Sequence, residues 1–129
     1  MYYSEEIGLP KTDISRWRLR SDALGRETWH YLSQSECESE PQSTFVQWLL
    51  ESPDFPSPPS SDIHTPGEAA RKGADFLKLL QLDNGIFPCQ YKGPMFMTIG
   101  YVTANYYSKT EIPEPYRVEM IRYIVNTAH

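Results

Sequence analysis

The sequence predicts an all-α fold in which an irregular arm with short helices precedes three longer helices. Three observations predict it. Thr65-Pro66-Gly67-Glu68 is a helix-opening capping box, followed by apolar residues at helical spacing. Residues 94–107, PMFMTIGYVTANYY, are apolar nearly all round. Residues 114–127 carry a wide apolar stripe. The chain has 129 residues, of which 40% are hydrophobic, enough for one domain with a core.

Each element can be justified in order. Residues 1–20 read as irregular, because Pro10 and the polar run Lys11-Thr12-Asp13 oppose an early helix. SRWRLR (15–20) alternates Trp17 and Leu19 with arginines. It reads as a short extended piece or as a tryptophan anchor packing the arm against a body. Residues 22–32 predict a short helix, with Asp22 as N-cap and Leu24, Thr28, Tyr31 and Leu32 on one side. Gly25 weakens that helix by roughly 1 kcal/mol relative to alanine. Residues 33–41 read as a solvated acidic connection. Residues 43–51 predict a second short helix, capped by Ser43 or Thr44, with Phe45, Trp48 and Leu49 as its stripe. The repeated prolines of 52–66 then enforce an irregular crossover, with Phe55 tucked in.

The first long helix is expected from Pro66 to Gln81. Ala70, Gly73, Ala74, Leu77 and Leu80 would form its buried face, with Phe76 on the edge. Asn84 or Gly85 suits a left-handed position after it. The helix from Pro94 needs cover on most sides. Ser108 to Pro115 is a polar turn. The last helix carries Met120, Ile121, Ile124, Val125 and Ala128 on its stripe, with Glu119 and Arg122 beside it. Two neighbouring helices and an arm are too little cover for the middle helix. The chain is therefore expected to begin a larger helical protein.

Composition excludes several functions. Twelve Lys and Arg against 17 Asp and Glu give a net charge of -5 with no basic tract, so nucleic acid is not an expected partner. Cys37 and Cys89 are far apart and read as two free thiols. Acidic residues occupy the place of a basic signal-peptide region. No apolar run is long enough to span a bilayer, which leaves open a protein lying on a membrane. His30, His64 and His129 are too scattered to suggest a metal. No phosphate loop, HExxH motif or nucleophile elbow occurs. The aspartates fall at caps, turns and polar faces, so no self-contained active site is expected. The aromatic residues would fill a core or line a cavity that stabilises cations.

RKGADFLKLLQLDNGIF (71–87) resembles the QW repeat of the squalene and oxidosqualene cyclases. The matching positions are Lys72, Gly73, Phe76, Leu77, Gln81, Gly85 and, in the tryptophan place, Phe87. The likeness extends through IGLPKTD…RWRLR…LGRETWHYL (7–32), STFVQWLLESPDFP (43–56), CQYKGPMFMTIGYV (89–102) and EMIRYIVNTAH (119–129). Together these strings resemble the amino-terminal region of fungal sterol-forming cyclases.

The resemblance implies a partial α/α barrel of the terpene cyclase type. Residues 66–129 would supply the first helices of an incomplete barrel domain, and 1–65 the arm with its proline-rich crossover. It implies an isomerase of sterol biosynthesis that cyclises 2,3-oxidosqualene without cofactor or metal. A carboxylic acid protonates the epoxide, and aromatic rings stabilise the cations. Tyr91 matches the family's cavity tyrosine, with Gly93 and Pro94 as the corner that aims it. The family's acid-bearing Asp-Cys-Thr segment is not within these residues, so none is assigned as catalytic. The chain alone is expected to be inactive, with the remainder of the cyclase chain as its partner. Monotopic attachment to the endoplasmic reticulum membrane or to lipid droplets is implied for the complete enzyme. The competing reading is a non-catalytic helical module that binds lipid or protein through 94–107.

Overall fold

A computed structural model describes residues 6–56, 62, 64–88 and 95–127. The described elements are one turn of 3-10 helix (Ile14–Arg16), strands β1 (Trp17–Ser21) and β2 (Glu27–Tyr31), and five α-helices. These are α1 (Gln34–Ser39), α2 (Thr44–Leu49), α3 (Pro66–Leu80), α4 (Phe96–Ser108) and α5 (Glu114–Thr127). The fold is mainly helical. It is not all-α, because a two-stranded antiparallel sheet stands where a helix over 22–32 is expected.

The correction has a local cause. Asp22 does not cap a helix; its Oδ1 accepts the N–H groups of Leu24 and Arg26 at 2.8 and 3.0 Å. Gly25 N–H donates to the Asp22 carbonyl at 3.0 Å, and Gly25 has φ +77°. The glycine that merely weakens a helix is therefore the residue that closes a hairpin loop. Leu24, expected on one side of that helix with Thr28, Tyr31 and Leu32, sits at the loop tip and is 81% exposed. The extended reading of SRWRLR holds, since Trp17 faces Tyr31 and Leu19 faces Trp29 across the ladder.

The connection over 33–41 also contains a helix. Ser33 caps α1, and Glu36 reaches back to the Ser33 N–H at 2.7 Å, completing a capping box. Ser43, rather than Thr44, caps α2. Thr44 instead donates its hydroxyl to the Leu79 carbonyl, tying α2 to the end of α3.

The chain divides into two compact units, 14–90 and 1–13 with 91–129. In the first, Leu19, Phe45, Val46 and Leu80 form the core, with Trp29, Phe55, Phe76 and Leu82 packed against it. Each fully buried side chain of this kind contributes about 1.5–3 kcal/mol. Aromatic edges knit the periphery: Trp48 meets Phe76 at 6.0 Å and Phe55 meets Phe76 at 6.5 Å. Phe55 is thus tucked in as expected.

The orientation of α3 differs from the expectation. Leu80 is buried and Phe76 half-buried, but Ala70, Gly73, Ala74 and Leu77 are exposed. Trp48, Phe55 and Val46 lie on the Phe76–Leu80 side, so large rings rather than small residues decide which face packs.

In the second unit, α4 has no buried residue. Phe96, Met97, Ile99, Tyr106 and Tyr107 are each at least 66% exposed. Lys109 ends the helix in a left-handed conformation, within the predicted polar turn. On α5, Glu119 accepts from both the backbone N–H and the hydroxyl of Thr12, at 3.0 and 2.6 Å. Arg122 Nε lies 3.5 Å from the other Glu119 oxygen. Met120 and Val125 are half-buried, while Ile121 and Ile124 are exposed.

Candidate functional site

The residues of the QW-type segment occupy α3 and the turn after it. Thr65 caps α3, and its hydroxyl accepts the Glu68 N–H at 3.2 Å. Glu68 Oε2 in return accepts the N–H groups of His64 and Thr65, at 3.0 and 2.9 Å. Those bonds, that of His64 foremost, lower the Glu68 carboxyl below its ordinary pKa. Pro66 starts the helix where a missing N–H costs nothing.

Lys72 and Phe76 are half-buried, whereas Gly73 and Leu77 are exposed. Gln81 ends the helix in extended backbone, and its side chain folds over the turn. Gln81 Nε2 donates to the Gly85 carbonyl at 2.9 Å. Inside that bridge, Leu82 N–H donates to the Ile86 carbonyl at 2.9 Å and Gly85 N–H to the Leu82 carbonyl at 2.8 Å. Asn84 Oδ1 takes the Ile86 N–H at 3.1 Å. Gly85 has φ +84°, a conformation that other residues adopt only with strain. The glutamine and glycine therefore close the turn between them and fix the direction in which the chain leaves α3. Phe87, in the tryptophan place, is 53% exposed, and Pro88 beside it is buried. Tyr91, Gly93 and Pro94 lie outside the described residues, as does Cys89.

Sequence reasoning missed a second set of polar clamps. Arg18 is only 5% exposed, yet its guanidinium is well supplied. Nε donates to the Glu40 carbonyl at 2.6 Å, and Nη1 to the carbonyls of Ser15 and Trp17 at 2.7 and 2.9 Å. A buried charge is tolerated when it is hydrogen-bonded in this way. Gln42 Nε2 donates to the carbonyls of Ile14 and Trp17 at 2.9 and 3.1 Å. Arg20 bridges Glu40 through contacts of 2.5 and 3.1 Å, which holds the Glu40 carboxyl below its ordinary pKa. The only prior signal for these clamps was the Arg-x-Arg alternation of a strand.

Among the described residues no group of three or more His, Cys, Asp or Glu is placed to hold a metal. No described helix is long and apolar enough to cross a membrane. The arrangement is one of structural clamps around an aromatic core.

Comparison with known proteins gives the chain its relatives. It is 99% identical to the lanosterol synthase of Candida albicans over 129 residues, covering 100% of this chain and 18% of that protein. It is 60% identical to the lanosterol synthase of Saccharomyces cerevisiae, over 99% of this chain and 18% of the relative. It is 40% identical to that of Pneumocystis carinii, over 100% of this chain and 18% of the relative. No family model matches, and no solved structure matches. The likeness therefore runs through every element described above, and by sequence the chain belongs with the lanosterol synthases as a fragment spanning 18% of their length.

Proposed function

We propose that this segment acts as part of a complete oxidosqualene cyclase and has no cyclase activity by itself. The observation that carries the proposal is the 99% identity to a lanosterol synthase across all 129 residues. The parent reaction is an isomerisation of 2,3-oxidosqualene to lanosterol. A proton opens the epoxide, the rings close through cations, methyl and hydride shifts follow, and a proton is lost.

In this reading α3, α4 and α5 are the first helices of a partial α/α barrel, and residues 1–65 are the arm strapped across it. Tyr91 stands in the cavity wall, aimed by Gly93 and Pro94. A rigid phenol ring there biases the folding of the substrate before charge develops. The turn closed by Gln81 and Gly85 lies six residues ahead of Tyr91 in the sequence. The complete enzyme would lie on the endoplasmic reticulum membrane or on lipid droplets.

The test is product analysis with 2,3-oxidosqualene. The complete chain should form lanosterol and the 129-residue chain none. In the complete chain, Tyr91→Ala should release partly cyclised products. Lanosterol made by the 129-residue chain would overturn the proposal. An unchanged product pattern in a folded Tyr91→Ala enzyme would remove Tyr91 from the cavity. The exposure of Phe96, Met97, Ile99 and Tyr106 favours one second reading, a lipid- or protein-binding module. Cosedimentation of the 129-residue chain with phosphatidylcholine vesicles, lost on Phe96→Ser with Ile99→Ser, would support it.

A further inference from the structure

An open cleft of about 760 Å³ lies beside β1, lined by Leu19, Ser21, Glu40, Ser43, Leu82 and Asp83 among others. The hairpin's hydrogen bonds fix what β1 presents to it. Leu32 N–H donates to the Arg16 carbonyl and Asp22 N–H to the Arg26 carbonyl, both at 3.0 Å. In an antiparallel pair these contacts alternate, so the even-numbered residues of β1 bond β2. The backbone groups of Trp17, Leu19 and Ser21 therefore point outward from the hairpin.

The Trp17 carbonyl is already taken by Gln42 and Arg18. The N–H groups of Leu19 and Ser21 have no hydrogen bond to the described residues. The charges that ordinarily blunt such an edge are spent elsewhere, since Arg18 is buried among carbonyls and Arg20 is tied to Glu40. A two-stranded hairpin with one open, unblunted edge is an incomplete sheet.

We infer that β1 receives a third strand: an extended segment from the remaining lanosterol synthase chain, paired with the backbone of Leu19 and Ser21. The inference rests on the family reading above. The relatives hold much more chain than these 129 residues, which span 18% of the Candida albicans enzyme, so an intramolecular donor is at hand. Backbone pairing supplies the affinity, and alternate side chains of the donor would face Leu19 and Leu82. Asp83, which has no ion pair among the described residues, favours a lysine or arginine on the donor.

The test is amide hydrogen exchange on the complete enzyme, with Ser21→Pro and Ser21→Ala variants. Proline removes only an outward N–H and leaves the ladder to β2 intact. The Ser21 amide should exchange at least about 100-fold below its unprotected rate. Ser21→Pro, but not Ser21→Ala, should lower protection of the Leu19 amide about tenfold. A Ser21 amide exchanging near its unprotected rate in the folded enzyme would overturn the inference. So would protection that appears only with concentration-dependent dimerisation, which would mark a second copy as the occupant. If Ser21→Pro fails to fold, exchange at Ser21 in the unmodified enzyme decides alone. If the complete chain forms no sterol, the family reading fails while the exchange result still decides the strand.

Discussion

Phe45 and Phe96 are the same residue with opposite surroundings: 4% exposed in one unit of the chain and 66% exposed in the other. In the unit 14–90, short elements with poor intrinsic stability are held by a shared core and by side chains bonded to backbone carbonyls. In the helices of the other unit, the apolar pattern is stronger and the cover is thinner. Helix α4 shows this most clearly, because its sequence is apolar nearly all round and none of its residues is buried. Apolar content thus does not decide burial within a segment. The number of neighbouring elements does.

Substitutions can break that contrast. The largest effect is expected at Phe45. Phe45→Ala should cost about 3–5 kcal/mol, against under about 0.5 kcal/mol for Phe96→Ala in the 129-residue chain. Urea unfolding followed at each unit checks both values. In the complete enzyme the Phe96 variant should approach the Phe45 variant.

Arg18→Ala should cost about 2–3 kcal/mol, because it strands the carbonyls of Ser15 and Glu40, while the Trp17 carbonyl keeps Gln42. Thermal unfolding of the variant beside Arg18→Lys separates charge from fork geometry, and lysine should restore only part of the loss.

Gly85→Ala should cost about 1 kcal/mol through its positive φ, and Gln81→Ala about 1 kcal/mol through the lost bond to the Gly85 carbonyl. Neither should alter the Arg18 clamp, which amide exchange at β1 can monitor.

The smallest effect is that of acid. Asp22, Glu36, Glu40 and Glu68 all have lowered pKa values in the fold. Their contribution is full above the ordinary carboxylate range near pH 4 and is lost as pH falls through the lowered values. The Arg20–Glu40 pair is partly exposed and should contribute under about 1 kcal/mol. Stability of the unit 14–90 measured between pH 6 and pH 2 should therefore decline only at the acid end.

The long helices were legible in the sequence because their signals are local. Thr65-Pro66-Gly67-Glu68 specifies a helix start through bonds within four residues, and α3 begins there. The sequence segment 22–32 misled for the opposite reason. Its apolar spacing fits a helix, but Asp22 and Gly25 close a loop whose strands are stabilised by partners across the ladder. The helix over 34–39 carried a readable Ser33–Glu36 capping box within an acidic run that resembles a linker. The packed face of α3 was illegible because it depends on where Trp48 and Phe55 arrive. For the candidate site, the likeness to the QW repeat marked Gln81 and Gly85, whereas the clamps of Arg18 and Gln42 depend on carbonyls brought close by folding.

The central claim is that the unit 14–90 supplies its own core, whereas α4 depends on the rest of the enzyme for cover. Amide hydrogen exchange over 96–108, compared between the 129-residue chain and the complete enzyme, tests it most directly. Exchange in α4 should be at least about 100-fold slower in the complete enzyme, with α2 and the buried end of α3 protected in both. Equal, strong protection of α4 in both chains would contradict the claim.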